Sequence, residues 1–316
     1  MRSSGPTRRA ALLGGLGALS IAAVSGCASD PAPELGRIVV ATGPPGAVYR
    51  EIGAALARLL DEHLPDQELV TVETGASHDN LRMLAEDEAH LGLANLDSVL
   101  ATDITTEGSA ISAVGRLFDS FVHLAVREDS PVRSLSDIEG MRVSLGTVNS
   151  GTEFTAAQIL EVTGVRPEEV RLDQAESAAA LDAGDIDAMF SLTGLPTPAI
   201  ADLAEERALR LVDLADTADA MVGVYPESYF SATIPATTYS GIPACPTMSI
   251  PNLLLCRRDL PDELVRRITE TVYTGAARLA EQRPEAAQIN VRTGISTGIV
   301  PLHPGAEQWY RENKPA

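Results

Sequence analysis

Arg142-Val143-Ser144-Leu145, then Gly146-Thr147-Val148-Asn149-Ser150-Gly151, then Thr152 to Thr163 is a strand, a polar loop and a helix in direct succession. The short apolar run gives way to Gly and Ser, and an apolar helical period follows, which is the pattern of a strand-to-helix unit in a parallel sheet. Gly164 stands where a helix end requires a left-handed residue, and Pro167 lies just beyond it.

The same theme occurs earlier in the chain. Ile38-Val39-Val40-Ala41 reads as a buried strand feeding the loop Thr42-Gly43-Pro44-Pro45-Gly46, and Ile52, Ala55, Leu56, Leu59 and Leu60 fall on one face of the helix that follows. Leu69 to Val72 is a second strand, Leu81, Leu84 and Ala85 mark a helix, and Leu91 to Ala94 is a third strand ending in Asn95-Leu96-Asp97. A second block opens with strand Val122 to Val126 and a turn at Ser130-Pro131. After the 142–163 unit it continues through a helix ending at Gly184 to strand Ile186 to Phe190. Two blocks of one theme predict two α/β lobes with mainly parallel sheets, whose ligand loops lie at the carboxyl ends of the strands. The last third is irregular, with prolines at 226, 235, 243, 246 and 251. It contains a strand over Ser249 to Cys256 and a helix from Asp262 to Arg283 behind Pro261, and it is read as a return to the first lobe.

The N-terminus has its own logic. Arg2, Arg8 and Arg9 precede an apolar run from Ala10 to Ser25, 16 residues long, and the run ends in Val24-Ser25-Gly26-Cys27. That is short of the about 20 residues of a spanning helix, and small residues before a cysteine mark a lipoprotein export signal. Cys27 is the expected lipidation site after removal of the preceding residues, with 28–36 as a tether, on the outer face of the cytoplasmic membrane. Arg8-Arg9 is compatible with either Tat or Sec export. Loss of residues 1–26 moves the formal charge from −20 to −23, which makes nucleic acid a poor partner.

Lys314 is the single lysine, so no lysine lies in the expected core to form a Schiff base or a P-loop. The five histidines, at 63, 78, 90, 123 and 303, show no metal-ligand spacing, no G-x-S-x-G elbow is present, and no nucleophile stands out. Neither a cofactor nor a metal is expected. Cys245 and Cys256 are either a disulfide, permitted in an oxidising compartment, or two buried thiols on neighbouring strands, the second being favoured. Ser150-Gly151-Thr152-Glu153 has the S-x-x-E form of a helix cap, and its position after a strand adds an anion-holding role for the first-turn amides. Gly43-Pro44-Pro45-Gly46 serves a turn and carries no nucleotide fingerprint. Tyr49 is as compatible with packing as with contact to a ligand.

Ala41-Thr42-Gly43 through Gly53-Ala54-Ala55-Leu56, Glu73-Thr74-Gly75-Ala76-Ser77, Asn80 to Leu84 and Leu91 to Asp97 resemble the TAXI class of solute receptors, which serve tripartite ATP-independent periplasmic (TRAP) transporters. The similarity continues through Ser136 to Gly140, Ser150 to Glu153, Ala183 to Ala188, Gly194 to Ile200, Ile234 to Thr237 and Pro301 to Glu307.

This resemblance implies a two-lobed periplasmic-binding-protein fold of the second topological class, with two strand connections as the hinge. Lobe one spans 37–122 with 244–316, and lobe two spans 123–243. It further implies a monomeric, non-enzymatic receptor for glutamate, glutamine, 2-oxoglutarate or a related carboxylate, delivered to a permease driven by a cation gradient. By position, the implied ligand shell is Gly43, Tyr49, Asn95, Asp97, Ser150, Gly151, Thr152, Thr193 and Gly194, with Tyr239 as a further candidate. The chain departs from the family at Pro44-Pro45, which offer two fewer N–H donors, and at Leu96 and Leu192, where polar residues are usual. An acidic protein that holds an anion needs helix N-termini and an arginine such as Arg116 or Arg127 in the cleft. A binding protein that signals to a partner, or an exported enzyme on the same scaffold, are the alternatives of different class.

Overall fold

Two long strands run through the middle of one mixed sheet and carry a parallel wing on either side. The computed structural model describes residues 35–45, 47–102 and 109–313, so Cys27 and most of the expected tether lie outside the described residues. The first block runs β1 (Arg37–Ala41), α1 (Val48–His63), β2 (Glu68–Val72), α2 (Ser77–Ala85), β3 (Leu91–Asn95), α3 (Leu96–Leu100) and β4 (Ile111–Arg127). The second runs β5 (Arg142–Ser144), α4 (Gly151–Thr163), β6 (Glu168–Val170), α5 (Gln174–Ala183), β7 (Ala188–Thr193), α6 (Pro198–Glu206), β8 (Leu209–Leu211), α7 (Ala215–Val224) and β9 (Phe230–Ile234). The chain then returns through β10 (Cys245–Arg257), α8 (Asp262–Thr274), α9 (Ala276–Gln282), α10 (Val291–Gly294) and α11 (Pro304–Asn313).

The strand order is β2-β1-β3-β10-β4-β7-β5-β6. Read from either edge it is the same arrangement, three parallel strands followed by an antiparallel one; the first wing takes its fourth strand, β10, from the last third of the chain, and the second takes β4, which directly precedes it. Parallel pairing is confined to β1 with β2 and β3, and to β5 with β6 and β7. β4 and β10 are antiparallel to each other and to every other strand they touch. The expectation of mainly parallel sheets therefore holds in the wings and fails at the centre. The lobe boundaries drawn from the sequence fall inside β4 and just ahead of β10, the two strands common to both wings.

β4 is 17 residues long, where the sequence pattern showed only its second half. Nearly all of it is buried, and a strand covered on both faces loses the alternation by which strands are read. Pro251, which cannot donate to a ladder, sits at a register irregularity between β10 and β4.

On α1, Ile52, Ala55, Leu56, Leu59 and Leu60 are all buried, and they form one core with Val265, Ile268 and Val272 of α8 and with Trp309. The helix expected over 262–283 is broken at Gly275. There the chain backs so closely on α1 that a Cβ would lie 2.6 Å from Leu59 Cδ2. Gly164 and Gly184 end α4 and α5 in the left-handed conformation, with φ of 76° and 80°. Cys245 and Cys256 are free, buried and on the same strand, β10, rather than on neighbouring strands.

Candidate functional site

The carboxyl ends of β1, β3, β5 and β7 face one another across the two wings, and a cavity of about 40 Å³ lies among the loops that leave them. Such a volume admits about three water-sized occupants. Four helices begin on it. Val48 and Tyr49 open α1, Ser77 opens α2, Gly151 and Thr152 open α4, and Gln174 opens α5. The first amides of a helix have no intrahelical partner, and each helix start is the positive end of a dipole.

α1 and α2 start without any side-chain cap. On α4 the Ser150 hydroxyl accepts the Glu153 amide at 3.1 Å. The Glu153 carboxylate does not close a reciprocal cap but accepts from the Asn149 amide and from Arg171. The Ser150 amide donates instead to the Thr147 carbonyl at 3.1 Å, and Gly151 and Thr152, whose first-turn amides have no intrahelical partner, line the cavity. α5 carries the reciprocal box of Asp173 and Glu176, just ahead of the cavity-lining Gln174.

Side chains around the cavity are neutral. Tyr49 donates its hydroxyl proton to Asn95 Oδ1 at 2.6 Å and lies against Asn252 Oδ1 as well, and its burial raises the phenol well above the usual range. The Asn95 amide donates to Ser77 Oγ at 3.2 Å. From the other wing, the Leu192 amide donates to Thr152 Oγ1 at 3.2 Å, and the Thr197 hydroxyl donates to Gln174 Oε1 at 2.8 Å. The wings meet closely at Gly151, where a Cβ would lie 2.7 Å from Asn95 Nδ2 and 2.9 Å from Ser77 Oγ.

Of the residues named from the sequence, Tyr49, Asn95, Ser150, Gly151, Thr152 and Thr193 line this cavity. Gly43 sits behind it and lets the backbone pass the Tyr49 Cβ, which a Cβ at position 43 would approach to 2.8 Å. Gly194 packs between Phe118, Glu285 and Val48. Asp97 is turned away: its carboxylate accepts from the Thr155 hydroxyl at 2.6 Å, the Tyr229 hydroxyl at 2.8 Å and the Ser98 amide at 2.7 Å. Burial pushes its carboxyl upward, and these bonds and nearby His78 oppose the rise. Tyr239 lies in the core of the second wing, where its hydroxyl accepts the Thr197 amide at 3.1 Å and bonds to His123 at 2.9 Å.

Neither arginine expected in the cleft lines the cavity. Arg116 is held by Asp119 at 2.6 Å, and Arg127 donates to the Leu181 carbonyl at 3.1 Å near the end of α5. Ser77 and Gln174 were not singled out from the sequence. Ser77 opens a helix directly after Gly75-Ala76, and Gln174 follows an Asp-x-x-Glu cap, signals that locate a helix start without revealing what it faces.

Residues 40–313 match the family model described as NMT1-like family. Solved structures of the same fold include the alkanesulfonate-binding protein SsuA from Xanthomonas axonopodis pv. citri bound to MOPS, with a TM-score of 0.52 at 19% identity over 90% of this chain and 86% of that one. A putative L-cystine ABC transporter from Listeria monocytogenes aligns with a TM-score of 0.51 at 14% identity, covering 82% of this chain and 98% of the other. The periplasmic binding protein BugD gives 0.55 at 13% identity over 88% and 96%. At these identities the likeness is one of fold, the two-lobed α/β fold of periplasmic binding proteins.

Proposed function

This chain belongs to the NMT1-like family, and from that premise we propose that it is an exported solute receptor that captures a small organic acid between two lobes and hands it to a membrane permease. The observation that carries the reading is the meeting of four helix starts on one cavity between the wings, an arrangement that holds a carboxylate by backbone amides and dipole ends. Among the described residues none that lines that cavity bears a carboxylate, imidazole, thiol or amine, which supports capture over chemical conversion.

In this reading residues 37–122 with 244–316 form one lobe and 123–243 the other, and β4 and β10 flex as the hinge. Opening admits the solute. Closing brings Gly151 against Asn95 and Ser77. The resemblance to TAXI receptors supports a glutamate, glutamine, 2-oxoglutarate or related carboxylate ligand, and a TRAP permease driven by a cation gradient as the partner. The short apolar leader ending at Cys27 supports tethering by lipid outside the cytoplasmic membrane.

Calorimetry and small-angle scattering on the same sample test the reading. A receptor binds one solute per chain, returns it unaltered and becomes more compact. Chemical change of the solute during the titration, or saturation with no change in the scattering radius, would defeat the proposal. Uptake in membrane vesicles that follows an imposed sodium gradient without ATP tests the TRAP assignment.

A further inference from the structure

The polar atoms around the cavity are oriented as donors. Ser77 Oγ, Ser150 Oγ and Thr152 Oγ1 each accept a backbone N–H, so each is fixed in place; Ser150 and Thr152 keep their own protons to give, while Ser77 shares its proton with the Tyr49 oxygen. Asn95 uses its carbonyl oxygen on Tyr49, and its amide nitrogen is the atom nearest Gly151. Gln174 uses its carbonyl oxygen on Thr197, which leaves its amide group as the donor. The Thr193 hydroxyl, on a residue only 3% exposed that lines the cavity, has no partner among the described residues. A buried hydroxyl is rarely left unpaired, so a solute held beside Thr193 is the partner this hydroxyl lacks.

A charged acceptor is missing among the described residues that line the cavity. An ammonium group has three donors and no acceptor, and needs oxygens to receive them. Among the described residues no carboxylate lines the cavity. Asp97, the acid named from the sequence, gives Oδ2 to Thr155 and Tyr229 and Oδ1 to the Ser98 amide. Four helix starts, each worth roughly half a positive charge, also oppose a cation. We infer that the solute is a small organic acid without an ammonium group, an oxo or hydroxy acid and not an amino acid. The inference rests on the receptor reading above and narrows its ligand class.

The test is a calorimetric titration of the full chain with matched acids: 2-oxoglutarate against glutamate, and pyruvate and lactate against alanine, backed by a thermal-shift panel of further organic acids, amino acids and uncharged solutes. The expected result is binding of an ammonium-free acid at least roughly tenfold tighter than its amino counterpart, since a lost charged hydrogen bond is worth that much. A best hit on an amino acid or an uncharged solute would overturn the inference and leave the receptor reading standing. No hit from any compound would overturn the receptor reading itself. Two variants sharpen the result. Thr193→Val should weaken the acid roughly tenfold while the unliganded melting temperature holds, and Gln174→Glu should weaken the acid and bring the amino acid level with it or ahead. If both variants bind both partners as the parent chain does, the donor-lined cavity is not what selects the solute.

Discussion

Asp97 and Thr155, 58 residues apart in sequence, form a 2.6 Å hydrogen bond that ties α3 of the first wing to α4 of the second. Tyr229 joins them from the second wing at 2.8 Å. Asp97→Ala leaves the Thr155 hydroxyl and the Ser98 amide without their acceptor, while Tyr229 keeps Gln158 Oε1, and it removes the tie. A loss of about 2–4 kcal/mol in chemical denaturation is expected, with a larger scattering radius and weaker solute binding. Thr155→Val removes one partner only and should cost about half as much. Equal stability of Asp97→Ala and the parent would show that the tie contributes nothing.

Gly151→Ala acts on closure and not on folding. The added methyl would lie 2.7 Å from Asn95 Nδ2, whereas helix α4 itself favours alanine over glycine. Solute affinity should fall by at least tenfold with the unliganded melting temperature unchanged or slightly raised. Affinity equal to that of the parent chain would mean that the bound form does not bring the wings this close.

His123 predicts a pH dependence. Its Nδ1–H donates to the Phe121 carbonyl at 2.9 Å, Nε2 receives the Tyr239 hydroxyl at 2.9 Å, and burial brings the imidazole down to about 4. The unfolded chain therefore binds a proton between pH 6.5 and about 4 that the folded chain refuses, so stability falls as pH drops through that window. The contribution is about 3 kcal/mol at most. His78, His90 and His303 are shifted in the same direction by burial, so the measurement is the difference between the parent and His123→Gln. Urea midpoints taken from pH 7 to pH 4 should show a shallower decline in the variant, and parallel curves would contradict the assignment.

Cys245 and Cys256 sit eleven positions apart along one extended strand, about 35 Å at strand rise, far beyond the about 7 Å that a disulfide spans. Burial raises the Cys245 thiol to about 11 and the Cys256 thiol still higher. In a Cys27→Ser chain neither should react with a thiol reagent at neutral pH, and both should react after denaturation without reductant. A rapid native reaction would mean that β10 opens readily.

Much of the wings was legible because their signals are local. The face of α1 and the strand, loop and helix at 142–163 each decide their structure within about twenty residues. The centre was legible only in part, as strands at Val122 to Val126 and Ser249 to Cys256; the rest of β4 and β10 was not, because both are buried on both faces and interrupted by Gly115, Arg116, Asp119, Pro246 and Pro251. In the site, Ser150 to Thr152 could be read from a cap motif after a strand. Asp97 could not be separated from the ligand shell, since its partners Thr155 and Tyr229 stand 58 and 132 residues away. Gln174 was missed for the same reason: what turns it into a donor is Thr197, on a different helix start.

The interleaved strand order has a consequence for how the molecule is made. Leu253 of β10 pairs with Ala94 of β3, and Ser249 pairs with Phe121 of β4, so the first wing and the outer edge of β4, which the second wing already carries, stay unpaired until Arg257 has left the ribosome. Until then the nascent polypeptide displays two open edges, and closing them requires loops far longer than those of a helical bundle, which slows folding. A chain cut before Cys245 would leave β3 and β4 facing each other across the gap that β10 fills, and such a shortened protein should yield aggregates and not an isolated half.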